Sequence, residues 1–312
     1  MRRSSVLALF MLLSSLAAES QSLVVMPKKD PSVPPFGVML KRSVVNIELR
    51  CKEGNTLVRG DGTGFVAAVT DPRITKGSYF AYLVTNRHVA ECWDEQYHAR
   101  DVQSLVIRAN AKDGSSRNLV ADPRAWQLPA DVSVDLAAMS ITLPDDLQIA
   151  AIPVDDFATK DVMYNEQIAE GSPILLSGYF YQFPGVHSFQ PIVRQGILSM
   201  IPDEPMMTTT GKLGTMYLGD VHIFGGNSGS PVMVTANSVG IGGYHFLGVV
   251  SGYYYENADF DLEIATTVKG TAHANSGIAM IVPADFLKAL LDVPELKAPR
   301  EAAILQMTGA KK

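Results

Sequence analysis

The chain has 312 residues, of which 47% are hydrophobic and 19% are charged, and its formal net charge is −6. This length and composition suit a globular protein of one or two domains with a sizeable core, and they exclude an intrinsically disordered chain. Because the charge is acidic and no long basic run occurs, nucleic acid is not an expected partner.

The N-terminal residues have the composition of a secretory signal peptide. Arg2 and Arg3 precede an apolar run at residues 6–18, which is too short to span a bilayer comfortably. Small residues follow just before Gln21, as they do at signal-peptidase cleavage sites. We therefore predict that residues 1–20 are a signal peptide, that the mature chain has no membrane span, and that it is secreted or periplasmic.

Beyond this segment the sequence predicts a mostly β protein. Four prolines lie within residues 21–39, which we predict to be an extended N-terminal segment. Between residues 40 and 285, many short apolar and β-branched runs are separated by turn residues, a pattern typical of barrels or sandwiches. Pro283 suits the first turn of a helix, and a helical apolar period predicts a closing helix at residues 284–292. Residues 293–312 are predicted to be a flexible tail.

The sequence contains two cysteines, Cys51 and Cys92. In an oxidising compartment such a pair often forms a disulfide, and two separate buried thiols are the alternative. Neither cysteine lies in a pattern typical of a nucleophile or of a metal site, and no metal is predicted elsewhere.

The most informative motif lies at residues 225–232 and reads Gly-Gly-Asn-Ser-Gly-Ser-Pro-Val. Small residues on both sides of Ser228 permit a sharp turn that exposes the hydroxyl and directs backbone N–H groups at one point. A nucleophilic serine with an oxyanion hole requires this arrangement. Alone the motif is weak, because turns rich in glycine and serine are common in loops.

A serine nucleophile needs a base and a group that orients the base. The candidate base is His88, which follows a strand-like run and a Thr-Asn turn; a packed histidine is the alternative. The candidate orienting acid is Asp135, which opens an apolar run, and Asp131 is its rival. The α/β-hydrolases have the order serine, acid, histidine, whereas here Ser228 comes last. That order, and Ser230 where those hydrolases have glycine, argue against that fold.

Together these segments resemble the trypsin-like serine peptidases, and among them the bacterial glutamyl endopeptidases and the HtrA-type protease domains. The resemblance covers residues 40–292 and implies an all-β fold of two six-stranded antiparallel barrels with a C-terminal helix. The barrels would comprise residues 40–150 and 160–285, with the active site in the cleft between them and residues 254–276 as a loop over it. The motifs that carry the resemblance are Gly62-Thr63-Gly64-Phe65, Thr85-Asn86-Arg87-His88-Val89, Asp135-Leu136-Ala137 and Gly226-Asn227-Ser228-Gly229-Ser230-Pro231.

The resemblance implies a serine endopeptidase that hydrolyses polypeptides through an acyl-enzyme intermediate and needs no cofactor. His88 would act as the general base, Asp135 would hold its tautomer, and Ser228 would attack the carbonyl carbon. The backbone N–H groups of Gly226 and Ser228 would form the oxyanion hole.

The resemblance also predicts where the substrate binds. His222 and the stretch 223–225 should form one wall of the pocket for the residue whose carbonyl is attacked. Ser251, Gly252 and Tyr253 should form the strand that pairs with the substrate backbone. Because no acid aligns with the base of the pocket, we expect an apolar or small residue there.

Two further expectations follow from the resemblance. Asn227 cannot pair with a buried N-terminal ammonium, as an aspartate does in zymogen-activated members, so we expect no activation by a new N-terminus. The pair Cys51 and Cys92 would be a version of the bridge near the catalytic histidine. The alternatives are a catalytically silent binding or regulatory protein with this fold, or an esterase with the same triad. The oligomeric state stays open.

Overall fold

The structure of this chain is a computed structural model that describes residues 34–236, 243–263 and 267–309. For residues 257–263 and 267–273 it describes the backbone alone. The predicted signal peptide and most of the predicted extended segment therefore lie outside the described residues.

The first described element is helix α1, Phe36–Ser43, which corrects the predicted extended segment at its C-terminal end. Pro35 immediately precedes the helix, and Leu40 and Ser43 are buried. The Ser43 hydroxyl donates a hydrogen bond to the carbonyl oxygen of Leu40 at 2.8 Å, which satisfies one carbonyl near the C-terminus of the helix. The four prolines favoured an extended segment in the sequence, whereas the buried face of this short helix follows the last of them.

The N-terminal half forms a twisted sheet. Its strands are β1 Val44–Glu53, β2 Thr56–Val69, β3 Phe80–Thr85, β4 Asp101–Asn110, β5 Ser116–Ala121, β6 Ala137–Ser140 and β7 Ile152–Pro153. Six strands are antiparallel in the order β5-β4-β1-β2-β3-β6, and β7 pairs with β2 in parallel. Two backbone hydrogen bonds between Gln127 and Ala138, at 2.8 and 3.0 Å, join the segment after β5 to β6. The predicted first barrel is therefore not closed by a full ladder of strand hydrogen bonds. A short bridge joins the segment after β5 to β6 instead.

The C-terminal half forms the predicted six-stranded antiparallel barrel. Its strands are β8 Pro173–Gly178, β9 Ile192–Met200, β12 Tyr217–Asp220, β13 Pro231–Thr235, β14 Tyr244–Glu263 and β15 Thr267–Pro283, and a small hairpin of β10 Met206–Met207 and β11 Leu213–Gly214 precedes β12. The barrel closes in the order β12-β15-β14-β13-β8-β9. Its interior is filled by fully buried aliphatic side chains such as Leu176, Leu198 and Ile281, which confirms the all-β fold class.

The insertion predicted as a loop over the cleft is a two-stranded ribbon. Strands β14 and β15 continue their antiparallel pairing from Tyr255 and Asn275 to Glu263 and Thr267. No proline occurs in the paired residues 255–263 and 267–275, so no backbone N–H donor is missing from these two strands. The expectation of a loop at these residues is therefore corrected to an extension of the barrel strands.

Four further helices complete the described chain: α2 Arg87–Ala90, α3 Lys160–Asn165, α4 Ala284–Leu291 and α5 Pro294–Thr308. Helix α4 is the predicted closing helix, and its Leu287 and Leu290 are buried against the core. No helix among the described residues is long and apolar enough to cross a membrane.

Helix α5 corrects the prediction of a flexible tail at residues 293–312. Leu296, Arg300 and Ile304 lie four residues apart on one face, and all three are buried. The Arg300 guanidinium donates to the Tyr82 hydroxyl at 2.9 Å and to the Leu291 carbonyl oxygen at 3.1 Å. The buried face was missed because an arginine stands at the centre of its apolar row.

The two β-structures pack against each other through aromatic residues. The ring centroids of Phe65 on β2 and Phe246 on β14 lie 5.2 Å apart, and those of Phe157 and Phe246 lie 4.6 Å apart. All three rings are buried, and such pairs contribute about 0.5–1.5 kcal/mol beyond the area they bury. This packing fixes the groove between the N-terminal sheet and the barrel.

Candidate active site

Three separate segments bring His88, Asp135 and Ser228 to this groove. His88 lies in α2, directly after β3. Asp135 lies just before β6, the neighbour of β3 in the sheet. Ser228 lies in the turn between β12 and β13 of the barrel. The structure thus brings residues separated by up to 140 positions in the sequence to the same groove.

The His88 imidazole is held by Asp135. Its Nδ1 lies 2.6 Å from Asp135 Oδ2, and the His88 backbone N–H donates to Asp135 Oδ1 at 3.0 Å. Both carboxylate oxygens are therefore used to fix one residue. With Nδ1–H donating to the carboxylate, Nε2 is left as an acceptor, which is the tautomer a general base requires.

Asp135 is fully buried and accepts two further hydrogen bonds. The Ser251 hydroxyl donates to Oδ2 at 2.5 Å, the Thr209 hydroxyl donates to the same oxygen at 3.0 Å, and the two hydroxyls also contact each other. Burial alone favours the protonated acid, but the charge and hydrogen bonds of His88, with the Ser251 hydroxyl, outweigh it and hold the pKa of Asp135 below its usual value. The Asp135 carboxylate is therefore ionised and can stabilise a positive charge on His88.

Asp131, the rival acid, lies on the surface. Its carboxylate accepts a hydrogen bond from the Ser133 backbone N–H at 2.8 Å, an ordinary turn contact. Asp135 is therefore the acid that the fold places beside His88.

Ser228 stands on a tight turn in which two glycines, Gly226 and Gly229, cannot be replaced without strain. The Asn227 N–H donates to the Phe224 carbonyl oxygen at 3.0 Å, and Gly226 takes φ +91° at the third position of this turn, as a type II turn requires. Gly229 has φ +87°, and a Cβ there would lie 1.9 Å from the carbonyl oxygen of Thr63. Both positions therefore need glycine, which explains the small residues of the motif.

Asn227 holds the turn from inside without any charge. Its side-chain amide donates to the Tyr179 carbonyl oxygen at 2.7 Å, and its side-chain oxygen accepts from the Phe224 backbone N–H at 2.9 Å. The side chain is fully buried with both polar ends satisfied. The shape of the turn therefore depends on neutral hydrogen bonds of Asn227 and not on an ion pair with a chain terminus.

The turn leaves two backbone donors free. Among the described residues, the N–H groups of Gly226 and Ser228 have no hydrogen-bond acceptor. Two unpaired N–H groups, one on the serine itself and one two residues before it, can together stabilise a negative oxygen next to the serine. This is the arrangement expected of an oxyanion hole.

Thr63 ties the turn to the opposite sheet, and sequence reasoning gave it no role. Its hydroxyl donates to the Gly226 carbonyl oxygen at 2.7 Å and accepts from the Tyr179 N–H at 2.8 Å. Its backbone N–H donates to the Ser228 carbonyl oxygen at 2.9 Å, and its own carbonyl accepts from the Thr85 hydroxyl at 2.7 Å. The motif Gly-Thr-Gly-Phe was the only sequence signal for this contact.

The serine hydroxyl itself is not paired with the histidine. Ser228 Oγ donates to the Ser251 carbonyl oxygen at 3.4 Å, and no hydrogen bond within the described residues joins it to His88. Catalytic hydrogen bonds are often long or misaligned before substrate binds. His88 and Ser228 nevertheless line the same cavity, of about 490 Å³.

The residues predicted to bind substrate fall into two groups. Ser251, Gly252 and Tyr253 line this cavity beside Ser228. His222 does not line it and is exposed; its ring lies against Gly277, where a Cβ would come within 3.2 Å of the His222 Cε1 atom. The structure therefore places the predicted substrate-binding strand at the cavity, whereas His222, the predicted wall residue, lies outside it.

The two cysteines form the disulfide that the sequence suggested. Cys51 on β1 and Cys92 after α2 are bonded, with their Cα atoms 6.5 Å apart. The bond anchors the chain four residues after His88, next to the cavity wall. Among the described residues, no cluster of three or more His, Cys, Asp or Glu side chains has the arrangement of a metal site.

Comparison with known proteins shows a fold that this chain shares with solved structures. No family profile matches the sequence, and no curated protein is similar to it. A variant of the HtrA-type protease AlgW with a tripeptide matches with a TM-score of 0.50 at 16% identity, over 84% of this chain and 62% of the other. AlgW with a tripeptide gives 0.49 at 16% identity over 85% and 65%, and Deg5 gives 0.46 at 18% over 81% and 88%. The chain thus spans less than two thirds of the AlgW chains, and it shares the fold of trypsin-like serine proteases.

Proposed function

We propose that this chain, which has the trypsin-like fold, is a serine endopeptidase whose catalytic residues are His88, Asp135 and Ser228. The observation that carries the proposal is the pairing of His88 Nδ1 with the buried Asp135 at 2.6 Å, in the cavity that Ser228 lines. A binding protein has no physical need for a buried carboxylate aimed at an imidazole in front of a serine hydroxyl.

The chemistry follows from the geometry. Ser228 Oγ attacks the carbonyl carbon of a peptide bond while His88 Nε2 takes the hydroxyl proton, and Asp135 stabilises the imidazolium that forms. As the C–N bond breaks, the same proton passes to the leaving amine and an acyl ester stays on Ser228. Water then attacks the ester with His88 again as base, which releases the acid and restores the serine.

The negative oxygen of each tetrahedral intermediate would be bound by the free N–H groups of Gly226 and Ser228. A missing donor in such a hole costs about 3–4 kcal/mol of transition-state stabilisation. Asn227 supports the turn through neutral hydrogen bonds to Phe224 and Tyr179, so we propose that the site does not depend on a newly made N-terminus.

We propose a polypeptide substrate that binds as an added strand along Ser251, Gly252 and Tyr253. These residues line the cavity beside Ser228. An extended peptide that pairs with a strand gains its affinity from backbone hydrogen bonds. His222 and residues 223–225 are proposed to border the pocket of the attacked residue, and of these Gly225 also lines this cavity.

We propose that the mature protein acts outside the cytoplasm, in a periplasm or in the medium. The disulfide between Cys51 and Cys92 supports this, because such bonds persist in oxidising compartments. The signal-peptide composition of residues 1–20 points the same way.

A catalytically silent protein of the same fold is the second candidate. The observation that favours it is the Ser228 hydroxyl, which is directed at the Ser251 carbonyl oxygen and not at His88. A chain of this kind would bind peptides and release them unchanged.

Hydrolysis of peptide and ester substrates by the mature protein separates these functions. We expect cleavage of a quenched fluorescent peptide mixture, and a loss of at least about 10³-fold in Ser228→Ala. Cleavage of small acyl esters without any peptide cleavage would identify an esterase. Binding of peptides without cleavage of either substrate, in a sample with its disulfide formed, would support the silent protein.

A further inference from the structure

We propose that Thr209 is a positioning residue of the site, which holds the Asp135 carboxylate against His88 from the other half of the fold. This inference rests on the proposed function and adds a residue to the same site. Thr209 lies in the turn between β10 and β11, in the C-terminal half. Asp135 lies just before β6 of the N-terminal sheet. The contact between them therefore joins the two halves at the point where the triad assembles.

The Thr209 hydroxyl reaches the carboxylate oxygen that faces the histidine. Asp135 Oδ2 lies 2.6 Å from His88 Nδ1. The Thr209 hydroxyl donates to the same oxygen at 3.0 Å, and the Ser251 hydroxyl donates to it at 2.5 Å. Because the two hydroxyls also contact each other, they form one closed cluster on Oδ2. Removal of the Thr209 hydroxyl would therefore leave both Asp135 and Ser251 with one contact fewer.

The turn that carries Thr209 is closed by its own hydrogen bonds. The Thr208 N–H and the Thr208 hydroxyl both donate to the Lys212 carbonyl oxygen, at 2.8 and 2.9 Å. The hydroxyls of Thr208 and Thr210 lie 2.9 Å apart, and both residues are buried. Thr209 stands between these two residues, and its hydroxyl leaves the turn to enter the site. A turn held in this way presents the Thr209 hydroxyl in a fixed direction.

Two close approaches seat the hairpin against both halves of the fold. A Cβ on Gly214 would lie 2.6 Å from Ser133 Oγ, so β11 packs directly on the segment that leads to Asp135. A Cβ on Gly252 would lie 2.8 Å from Thr209 Cγ2, so β14 leaves space for the Thr209 methyl group. Neither glycine has a positive φ. Both positions are therefore explained by the space that the hairpin needs and not by the backbone conformation.

These contacts predict an effect on the rate and not on substrate affinity. Asp135 is fully buried, and a buried group that loses a hydrogen-bond partner is costly to leave unsatisfied. Without the Thr209 hydroxyl the carboxylate is free to turn away from His88 Nδ1. The transition state depends most on this pairing, because His88 gains its positive charge there. Loss of an interaction that matters mainly in the transition state lowers kcat and leaves KM nearly unchanged.

The test compares three single variants with the parent protein. Thr209→Val removes the hydroxyl and keeps a side chain of the same shape, whereas Thr209→Ser keeps the hydroxyl and removes the methyl group. Thr210→Val is the matched control, because it removes a hydroxyl of the same turn whose contact is with Thr208. Cleavage of a quenched fluorescent peptide gives kcat and KM for each protein.

We expect Thr209→Val to lower kcat about 10- to 100-fold, the cost of a slightly misplaced catalytic group, with little change in KM. Thr209→Ser and Thr210→Val should keep most of the parental kcat. An unchanged kcat in Thr209→Val, or a rise in KM at constant kcat, overturns the proposal. An equal loss of kcat in Thr209→Ser or in Thr210→Val also overturns it, because the loss would then come from packing or from the fold of the turn.

A measurement without turnover separates this proposal from the proposed peptidase. The exchange of the His88 Nδ1–H proton with water is followed by NMR in Ser228→Ala. We expect faster exchange when Thr209→Val is added, because the carboxylate partner is less firmly held, and no change when Thr210→Val is added. Faster exchange in Thr209→Val of a protein that cleaves nothing would keep the positioning role and reject the peptidase. Equal exchange with and without Thr209→Val would reject the positioning role.

Discussion

At the scale of single residues, the hydrogen bonds of the site converge on Asp135. Its two oxygens accept from the His88 ring, the His88 backbone and the hydroxyls of Ser251 and Thr209. Four donors around one buried carboxylate hold it charged and immobile. The orientation of His88 is therefore set by the interior of the protein and not by the substrate.

Asp135→Asn should lower kcat about 10⁴-fold, because an amide N–H facing His88 Nδ1 favours the wrong imidazole tautomer. The measurement is the rate of peptide cleavage at saturating substrate. Asp131→Asn is the matched control, four residues earlier on the surface, and should keep the parental kcat. Comparable losses in both variants would mean that the carboxylate at residue 135 has no special role.

The same substitution should change how stability depends on pH. The folded-state pKa of Asp135 is lowered, so its contribution to the free energy of unfolding is present above the unfolded value of about 3.9 and is lost as pH falls through the folded value. Urea unfolding of the parent and of Asp135→Asn between pH 3 and 7 should show a difference that narrows toward the acid end. A difference that widens there would contradict the lowered pKa.

At the scale of elements, strand β2 supports the Ser228 turn that belongs to the other half of the fold. Thr63 on β2 bonds to Gly226 with its hydroxyl and to Ser228 with its backbone. The carbonyl of Gly226 is thereby fixed, and with it the plane of the peptide that leads to Asn227. The direction of the oxyanion-hole N–H groups therefore depends on Thr63, which lies 163 positions from Gly226 in the sequence.

Thr63→Val should lower kcat about 10- to 100-fold with little change in KM, because displaced oxyanion donors weaken the transition state more than the bound substrate. Thr63→Ser keeps the hydroxyl and should restore most of the rate. Ser43→Ala, which removes a buried hydroxyl far from the turn, should not change kcat. A rise in KM at constant kcat would show that Thr63 serves substrate binding instead.

Elements also explain what the sequence could not predict. The segments of His88, Asp135 and Ser228 each have a local pattern, so their residues could be chosen without knowing the fold. Thr209 lies in no such local sequence pattern. It reaches Asp135 because the β10–β11 hairpin folds over the site.

At the scale of the whole molecule, the C-terminal helix α5 belongs to the fold. Ile304 is fully buried and Arg300 reaches Tyr82 on β3, so the end of the described chain packs on the N-terminal sheet. The spacing of short strands predicted a mostly β protein, and the family motifs predicted the closed C-terminal barrel. Helix α5 was not predicted, because its buried face contains an arginine whose hydrogen bonds to Tyr82 and Leu291 form only in the folded protein.

Ile304→Ala should lower the free energy of unfolding by about 2–5 kcal/mol, the usual cost of deleting a buried aliphatic side chain. Met307→Ala, on the exposed side of the same helix, should change it by less than about 0.5 kcal/mol. Urea denaturation measures both. Equal stability of the two variants would mean that α5 does not pack as described.

The central claim is that Ser228 is an activated nucleophile, and covalent labelling tests it most directly. The purified mature protein, with its disulfide formed, is treated with a fluorophosphonate probe and digested, and the adduct is located by mass spectrometry. We predict one adduct on Ser228, formed more slowly in Asp135→Asn and absent from Ser228→Ala. A folded protein that stays unlabelled, or that is labelled equally well in Ser228→Ala, would contradict the account.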